Sequence, residues 1–491
     1  MRKGIKKIKI PIGQSENLSI NDIEPYLDSV FAQFETNARQ IRKDYDVYCL
    51  DHPILRKVRA HNDTEINNIA VIPDLNAMVN WKSGYVFGNP IKYAQSKTID
   101  TDDIHYLNKY IRSSNKRTVD KNVGTWLYST GVGYYFIEPK SEDFDVEVDA
   151  PFVLYCRDAD TCTKVYSAYG DNKPLFDLLY TKIKEVKDGK EKDIDIVDIY
   201  LPDMLYTYRK EDLGKFTRFK EETRGIKKPL PLVEKPYNQD RIGMVAMGIS
   251  MQNAIDKIVS NGLDNIEDVV NQIIVYKNCN LGDDDEEKTE NHRAAMKNGC
   301  LVINGTKEAP ADVDTLVTEL SISEVKELFM IINEKFHSDL GVPMATSNTN
   351  SGGTTKSGSE VANGYDNAYN HALNDVNTFL EADYELLEKM MWICKNTNGN
   401  KIDGIAASEI EIKYALNLTD NILTKTQSYV NLVQCGVPPT IALRICKLSN
   451  DPEAEGKLIE QYAEQKEQKA AQAQTQANAN AAQQNGNNSQ E

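Results

Sequence analysis

The sequence predicts an α+β protein that is mainly helical. Three observations carry this. Apolar residues recur at helical spacing over long stretches, as in Ile255, Ile258, Val259, Gly262, Ile266, Val269, Val270 and Ile273. Between about 120 and 210 the period changes and short β-rich runs appear. A chain of 491 residues, 40% hydrophobic and 27% charged, has room for several such elements in two to four domains or sub-domains.

The basic start, Met1 to Lys9, lacks the apolar core of a secretory signal and reads as a solvated arm. Residues 18–48 read as one or two helices, with capping groups at Ser19-Ile20-Asn21-Asp22 and Val30, Phe31, Phe34 and Ile41 on one side. Ile69, Ile72, Leu75, Met78 and Val79 place a further helix over 67–80. It runs into Trp81-Lys82-Ser83-Gly84-Tyr85-Val86-Phe87-Gly88-Asn89-Pro90-Ile91-Lys92-Tyr93, a packed corner between helix and strand. Gly84 or Gly88 would supply backbone freedom there, and Pro90 forbids helix continuation.

Strands are expected at Tyr134–Ile137, Phe152–Tyr155 and Ile196–Tyr200, with Lys187-Asp188-Gly189-Lys190 as a hairpin turn. Pro229-Leu230-Pro231-Leu232-Val233 makes a stiff, extended exit. The stripe 255–273 follows, with Asp256, Asp264, Glu267 and Asp268 mostly outside it. Two β-like pieces, Ile273–Tyr276 and Cys300–Ile303, flank the acidic run Asp283–Glu287, which lacks the spacing of a calcium loop and reads as solvated. Ser321-Ile322-Ser323-Glu324 fits a capping box for a helix with Val325, Leu328, Phe329, Ile332 and Phe336 on one side, stopping at Gly341-Val342-Pro343.

Residues 346–356 are small, polar and without regular structure. Ser357-Gly358-Ser359-Glu360 then opens a very long helix to about Lys395. After a loop at 396–400, helices resume from about Asn421 and break at Gly436-Val437-Pro438-Pro439. Beyond Glu464 a Gln/Ala/Asn tail without an apolar stripe is expected to be disordered, or helical only against a partner.

The chemistry is sparse. Gly352-Gly353-Thr354-Thr355-Lys356-Ser357 departs from a phosphate-binding loop, because Thr355 stands where glycine must precede the lysine and a helix precedes the segment. No nucleophile elbow or His-Glu-x-x-His is present, and the eight cysteines form no Cys-x-x-Cys pair. No catalytic residue, cofactor or metal site is therefore expected, and the thiols read as reduced. A net charge of −17 argues against tight duplex binding, since phosphate neutralisation supplies most of such affinity. It does not argue against a protein that DNA must slide past, where weak adhesion is an advantage. No window approaches a membrane-spanning length of apolar residues, so no membrane partner is expected.

The order helix, Lys82-x-Gly84-Tyr85-x-x-Gly88-x-Pro90-Ile91-x-Tyr93 resembles the N-terminal signature of the portal proteins of tailed bacteriophages, with Trp81 just before it. Leu232-Val233-Glu234-Lys235-Pro236-Tyr237-Asn238 resembles the approach to that family's first stem helix, although Lys235 stands where the family is more apolar. The resemblance spans about 18–465 and implies a portal fold assembling as a ring. It divides the chain into an N-terminal arm 1–17, a wing 18–242, a stem helix 243–271, a clip 272–318, a stem helix 319–341, a tunnel loop 342–358, a long wing helix 359–395, crown helices 396–464 and the tail 465–491.

What the family implies is a ring, usually of twelve subunits, at one capsid vertex, with double-stranded DNA packaged and ejected through its channel. Implied partners are further copies of the chain, the terminase large subunit, major capsid or scaffolding protein, and a head-completion or adaptor protein. The tunnel-loop candidates for touching DNA without sequence preference are Asn348, Asn350, Ser351, Gly352, Gly353, Thr354, Thr355 and Lys356. Competing readings are another head–tail connector ring, a nucleotide-driven DNA motor, or a scaffold with no DNA role.

Overall fold

A computed structural model describes residues 4–13, 18–58, 66–95, 102–141, 143–169, 173–187, 190–211, 215–225, 228–270, 273–277, 284–298, 312–316, 322–344, 358–399, 401–402, 404–416, 422–446, 448–449 and 455–466. The chain forms two compact units. The first comprises 1–83 and 101–407, the second 84–100 and 408–491.

In the first unit, β1 (Ile8–Ile10) joins a six-stranded sheet ordered β1-β5-β6-β7-β8-β9. It lies parallel to β5 (Cys162–Ser167), and the remaining pairs are antiparallel through β6 (Pro174–Lys187), β7 (Lys190–Tyr200), β8 (Met204–Glu211) and β9 (Thr217–Thr223). The start of the chain is thus no solvated arm from Ile5 onward. Ile5, Ile8 and Ile10 are buried while Lys9 points out, so alternation outweighs the basic composition. Helices α1 (Ile20–Ile23) and α2 (Leu27–Tyr48) cover this sheet, with Ile23, Val30 and Phe34 packed among Phe176, Leu178 and Ile199. Ser19 and Asp22 form the expected capping box.

A second, three-stranded sheet has the order β10-β3-β4, from β3 (Val132–Pro139), β4 (Phe152–Arg157) and β10 (Leu232–Pro236). The β-rich region begins later than its composition suggests, because α5 (Lys116–Thr130) follows α4 (Asp102–Ser113) and fills 116–130. Gly131 ends α5 at φ 100°, and a Cβ there would lie 2.4 Å from the carbonyl oxygen of Arg241. Glycine alone fits both demands.

Helix α3 (Asp74–Phe87) begins later than its apolar spacing predicts, directly after Pro73, and 66–73 is extended. The reason lies in α6 (Met244–Val270). Gln252, Asp256, Ser260 and Asp264 project along it; the last three bond alternate backbone N–H groups of 66–73, and Gln252 bonds Ile72 O and the first turn of α3. Leu75 N donates to Gln252 Oε1 (3.0 Å), Ile72 N to Asp256 Oδ1 (3.0 Å), Ala70 N to Ser260 Oγ (3.0 Å) and Asn68 N to Asp264 Oδ1 (2.6 Å). Four helical residues rise about 6 Å and two extended residues about 6.6 Å, so the periods match and the helix acts as a strand partner. His52 Nδ1 and Lys57 Nζ take up the second oxygens of Asp256 and Asp264, each at 2.6 Å. Asp256 and Asp264 are therefore buried, contrary to the reading that places them outside the stripe, while Leu263 and Ile266 are exposed.

Beyond α6, β11 (Ile273–Lys277) pairs with β12 (Asp312–Leu316), and the expected strand at Cys300–Ile303 lies outside the described residues. The acidic run is not a plain solvated loop. Asp284 caps α7 (Asp285–Asn298), accepting from Glu287 N at 2.7 Å, and the acids of the first turn favour the positive helix end. Helix α8 (Ile322–Leu340) packs on α6, where Phe336 lies against Gly248. The longest helix, α9 (Gly358–Lys395), closes the unit.

In the second unit, β2 (Lys92–Gln95) pairs antiparallel with β13 (Ile410–Lys413), a strand the sequence reading lacks, and α10 (Ile422–Gln434) precedes α11 (Pro439–Cys446). Residues 455–466 are helical, and the tail beyond them lies outside the described residues.

Two buried lysines tie the sheets to α9. Lys235 on β10 pairs with Asp383 at 2.6 Å, both fully buried, and continues through Tyr135 to Asp120 and Lys116. Lys164 on β5 pairs with Glu385 (2.5 Å), which also holds Lys389 (2.8 Å). Removing one partner of a buried pair strands the other charge, whereas an apolar pair of similar volume does not. Asp383→Ala should therefore cost about 3–5 kcal/mol in denaturant unfolding, and Lys235→Met with Asp383→Leu should recover most of it.

Burial, then the Lys164 ammonium, pull Lys389 down to about 8 from 10.5, against the pull of Glu385. Between those values the unfolded chain keeps a proton that the fold has released. Stability gains from Lys389 as pH rises through that window, by up to about 1.4 kcal/mol per unit, and not below it. Lys389→Met should flatten this rise in unfolding series from pH 7 to 10.5.

Candidate functional site

The eight tunnel-loop candidates, Asn348 to Lys356, lie outside the described residues. Both flanks of that loop are described, and they meet at one buried cluster.

The incoming flank is the end of α8. Val342 N donates to His337 O (3.0 Å) and Gly341 N to Ser338 O (3.2 Å), the two bonds of a Schellman motif. Gly341 sits at its left-handed position, φ 63°, and a Cβ there would lie 2.6 Å from the His371 ring of α9. Leu340, Val342 and Phe336 are buried beside it. The outgoing flank is α9 itself, which presents His371, Asp375 and Phe379 to the same region.

Lys82 of α3 joins the two. It is 1% exposed, and its Nζ lies 3.1 Å from Asp375 Oδ2, donates to Tyr237 Oη at 3.1 Å and reaches Leu340 O at 3.4 Å. The rings of Tyr128 and Tyr237 flank the ammonium, and Tyr128 Oη donates to Asp375 Oδ2 at 3.2 Å. Burial pulls the Lys82 ammonium down, but Tyr237 and Asp375 together outweigh it and hold its pKa above the ordinary lysine value. Burial, reinforced by Lys82, holds His371 below the ordinary histidine value, and burial does the same for His337 against Asp74. The cluster is thus a fixed cation that binds the last carbonyl of α8 and a carboxylate of α9.

This cluster ties the end of α8 to α9. Among the described residues no group of His, Cys, Asp and Glu is placed to hold a metal, and no helix is long and apolar enough to cross a membrane.

The signature residues divide by role. Trp81 is half-buried in α3, Tyr85 and Ile91 are buried, and Gly88 and Pro90 lie in the link between α3 and β2. Gly84 is inside the helix at negative φ, and a Cβ there would meet open space. The conformational freedom expected of it is not used. The sequence reading names Lys82 in the signature but gives it no role, although a lysine between Val79 and Tyr85 on a packed helix is a signal of a buried partner.

The profile of the family described as "Phage portal protein, SPP1 Gp6-like" matches residues 27–475. No curated protein matches this chain. Among solved structures, one from the neck of a native GTA particle, computed with C12 symmetry, matches 76% of this chain and 88% of its own at 12% identity, with a TM-score of 0.43. Another, from the neck of an empty GTA particle with C6 symmetry, matches 74% and 85% at 13% identity, with a TM-score of 0.40.

Lys82→Met leaves Asp375 buried beside two phenols and releases the carbonyl of Leu340. Stability should fall by about 3 kcal/mol, and amide hydrogen exchange over 337–344 should quicken more than over β3.

Proposed function

Because this chain belongs to the SPP1 Gp6-like family of phage portal proteins, we propose that its subunits form the channel ring through which double-stranded DNA is packaged and ejected. The family is structural, and its members are homo-oligomeric ring components of the phage capsid vertex. Twelve is the subunit number that the resemblance favours.

In this reading α6 and α8 are the stem, the segment from β11 to β12 is the clip, residues 342–358 are the tunnel loop, α9 spans the wing and the C-terminal helices form the crown. Terminase docks on the clip during packaging, a head-completion or adaptor protein docks there later, and capsid or scaffolding protein surrounds the wing. Assembly takes place in the host cytoplasm, and the ring itself catalyses nothing.

The observation that carries this reading is the family match over residues 27–475, and the Lys82 cluster supports its loop assignment. A loop exposed to a moving polymer needs bases that do not yield, and here one buried cation grips the helix before the loop and the helix after it. The net charge of −17 adds weak adhesion, since an acidic wall does not trap phosphate. Within it, Lys356 would provide a local contact with the DNA backbone.

Replacing 346–356 by a short Gly/Ser link together with Lys356→Ala should leave rings assembled in negative-stain images while the yield of packaged DNA falls at least tenfold. Normal packaging by such rings would sink the loop assignment. ATP turnover by the purified ring would favour a motor instead.

A further inference from the structure

The stem hairpin carries two unlike surfaces on its outer sides. On α6, the side turned away from α8 presents Asn253, Lys257, Asn261 and Asn265, each four residues from the last. This stripe borders a groove of about 700 Å³ whose other wall is Pro53–Val58. Arg56 and Lys57 at the groove are already paired, with Asp51 and Asp264, so exposed Lys257 is the cation there that forms no ion pair among the described residues, and Asn253 Oδ1 is buried at the groove without a partner. The surface is rich in amides around one uncompensated cation, Lys257.

On α8, Phe336 and Leu340 face inward, and the opposite side carries Glu327, Ile331, Glu334 and Ser338. Neither glutamate forms an ion pair among the described residues, and Ile331 is 65% exposed. This surface is anionic with an apolar centre. At 1.5 Å per residue the two stripes are about 18 and 16 Å long. Run antiparallel, they place Ser338 at Asn253, Glu334 at Lys257, Ile331 at Asn261 and Glu327 at Asn265.

We propose that the α6 groove of one subunit receives the α8 ridge of a second copy of this chain, with Lys257 paired to the neighbour's Glu334 at the centre. The proposal rests on the ring reading above and adds its contact. One cationic and one anionic face on opposite sides of the same hairpin make a heterologous contact, which repeats in one direction until a ring closes. The same charges oppose a two-fold dimer, because each face repels its own kind. The hydroxyl of Ser338 would donate to the orphaned Asn253 Oδ1, and Ile331 would leave water.

The test uses the full chain and its assembly state by mass photometry and negative stain. Lys257→Glu and Glu334→Lys should each lower the ring fraction at least tenfold, with monomer unfolding unchanged because both residues are exposed. The double exchange, Lys257→Glu with Glu334→Lys, should restore rings. Rings at wild-type level in both single variants, or no recovery in the double, would overturn this pairing and leave the ring reading standing. A wild-type chain that forms no rings at any concentration would overturn the ring reading itself.

Discussion

Buried lysines facing the acids of one long helix hold this fold together. Lys82 from α3, Lys235 from β10 and Lys164 from β5 reach Asp375, Asp383 and Glu385 along α9. Each is costly to desolvate, and each becomes tolerable only when its own carboxylate is in place. That makes the arrangement selective more than strong. A helix shifted by one turn would bury several unpaired charges at once, so the register of α9 against both sheets is set by electrostatics, while apolar packing supplies the adhesion.

Helix α6 obeys a related rule. An amphipathic helix ordinarily turns its apolar stripe inward, but α6 turns a row of polar residues inward along its middle and uses them to satisfy an extended backbone. Buried backbone groups must be bonded, and among the described residues 66–73 has no strand beside it. The consequence is functional. Leu263 and Ile266, and on α8 Leu328 and Ile331, stay exposed in the single subunit. In a family whose members work as rings, that apolar surface has neighbouring subunits to meet.

Between these two constraints sits the loop that the portal reading assigns to the channel. Its bases are rigid for reasons of local chemistry: a Schellman turn at Gly341 closed by the ring of His371, and a lysine shared between the helix that ends and the helix that follows. Such anchors fix the end of α8 to α9. The feature that first named the family, the string from Trp81 to Tyr93, contributes through Lys82 more than through its glycines.

Much was legible in the order of residues alone. The long helices follow from apolar spacing, the β6–β7 hairpin from Lys187-Asp188-Gly189-Lys190, and the end of α8 from Gly341-Val342-Pro343, because these depend on local backbone preference and on a period. The family, and with it the portal role, follows from their sequence order. Other features depend on which distant groups meet. Asp256 and Asp264 read as solvent-facing until an extended backbone lies against them, the basic N-terminus as a free arm until β5 offers its edge, and Lys235 as a departure until Asp383 stands opposite. Apolar patterning is written into neighbouring positions, but the partner of a buried charge is hundreds of residues away in some of these pairs, so only the tertiary structure could decide where each charge belongs.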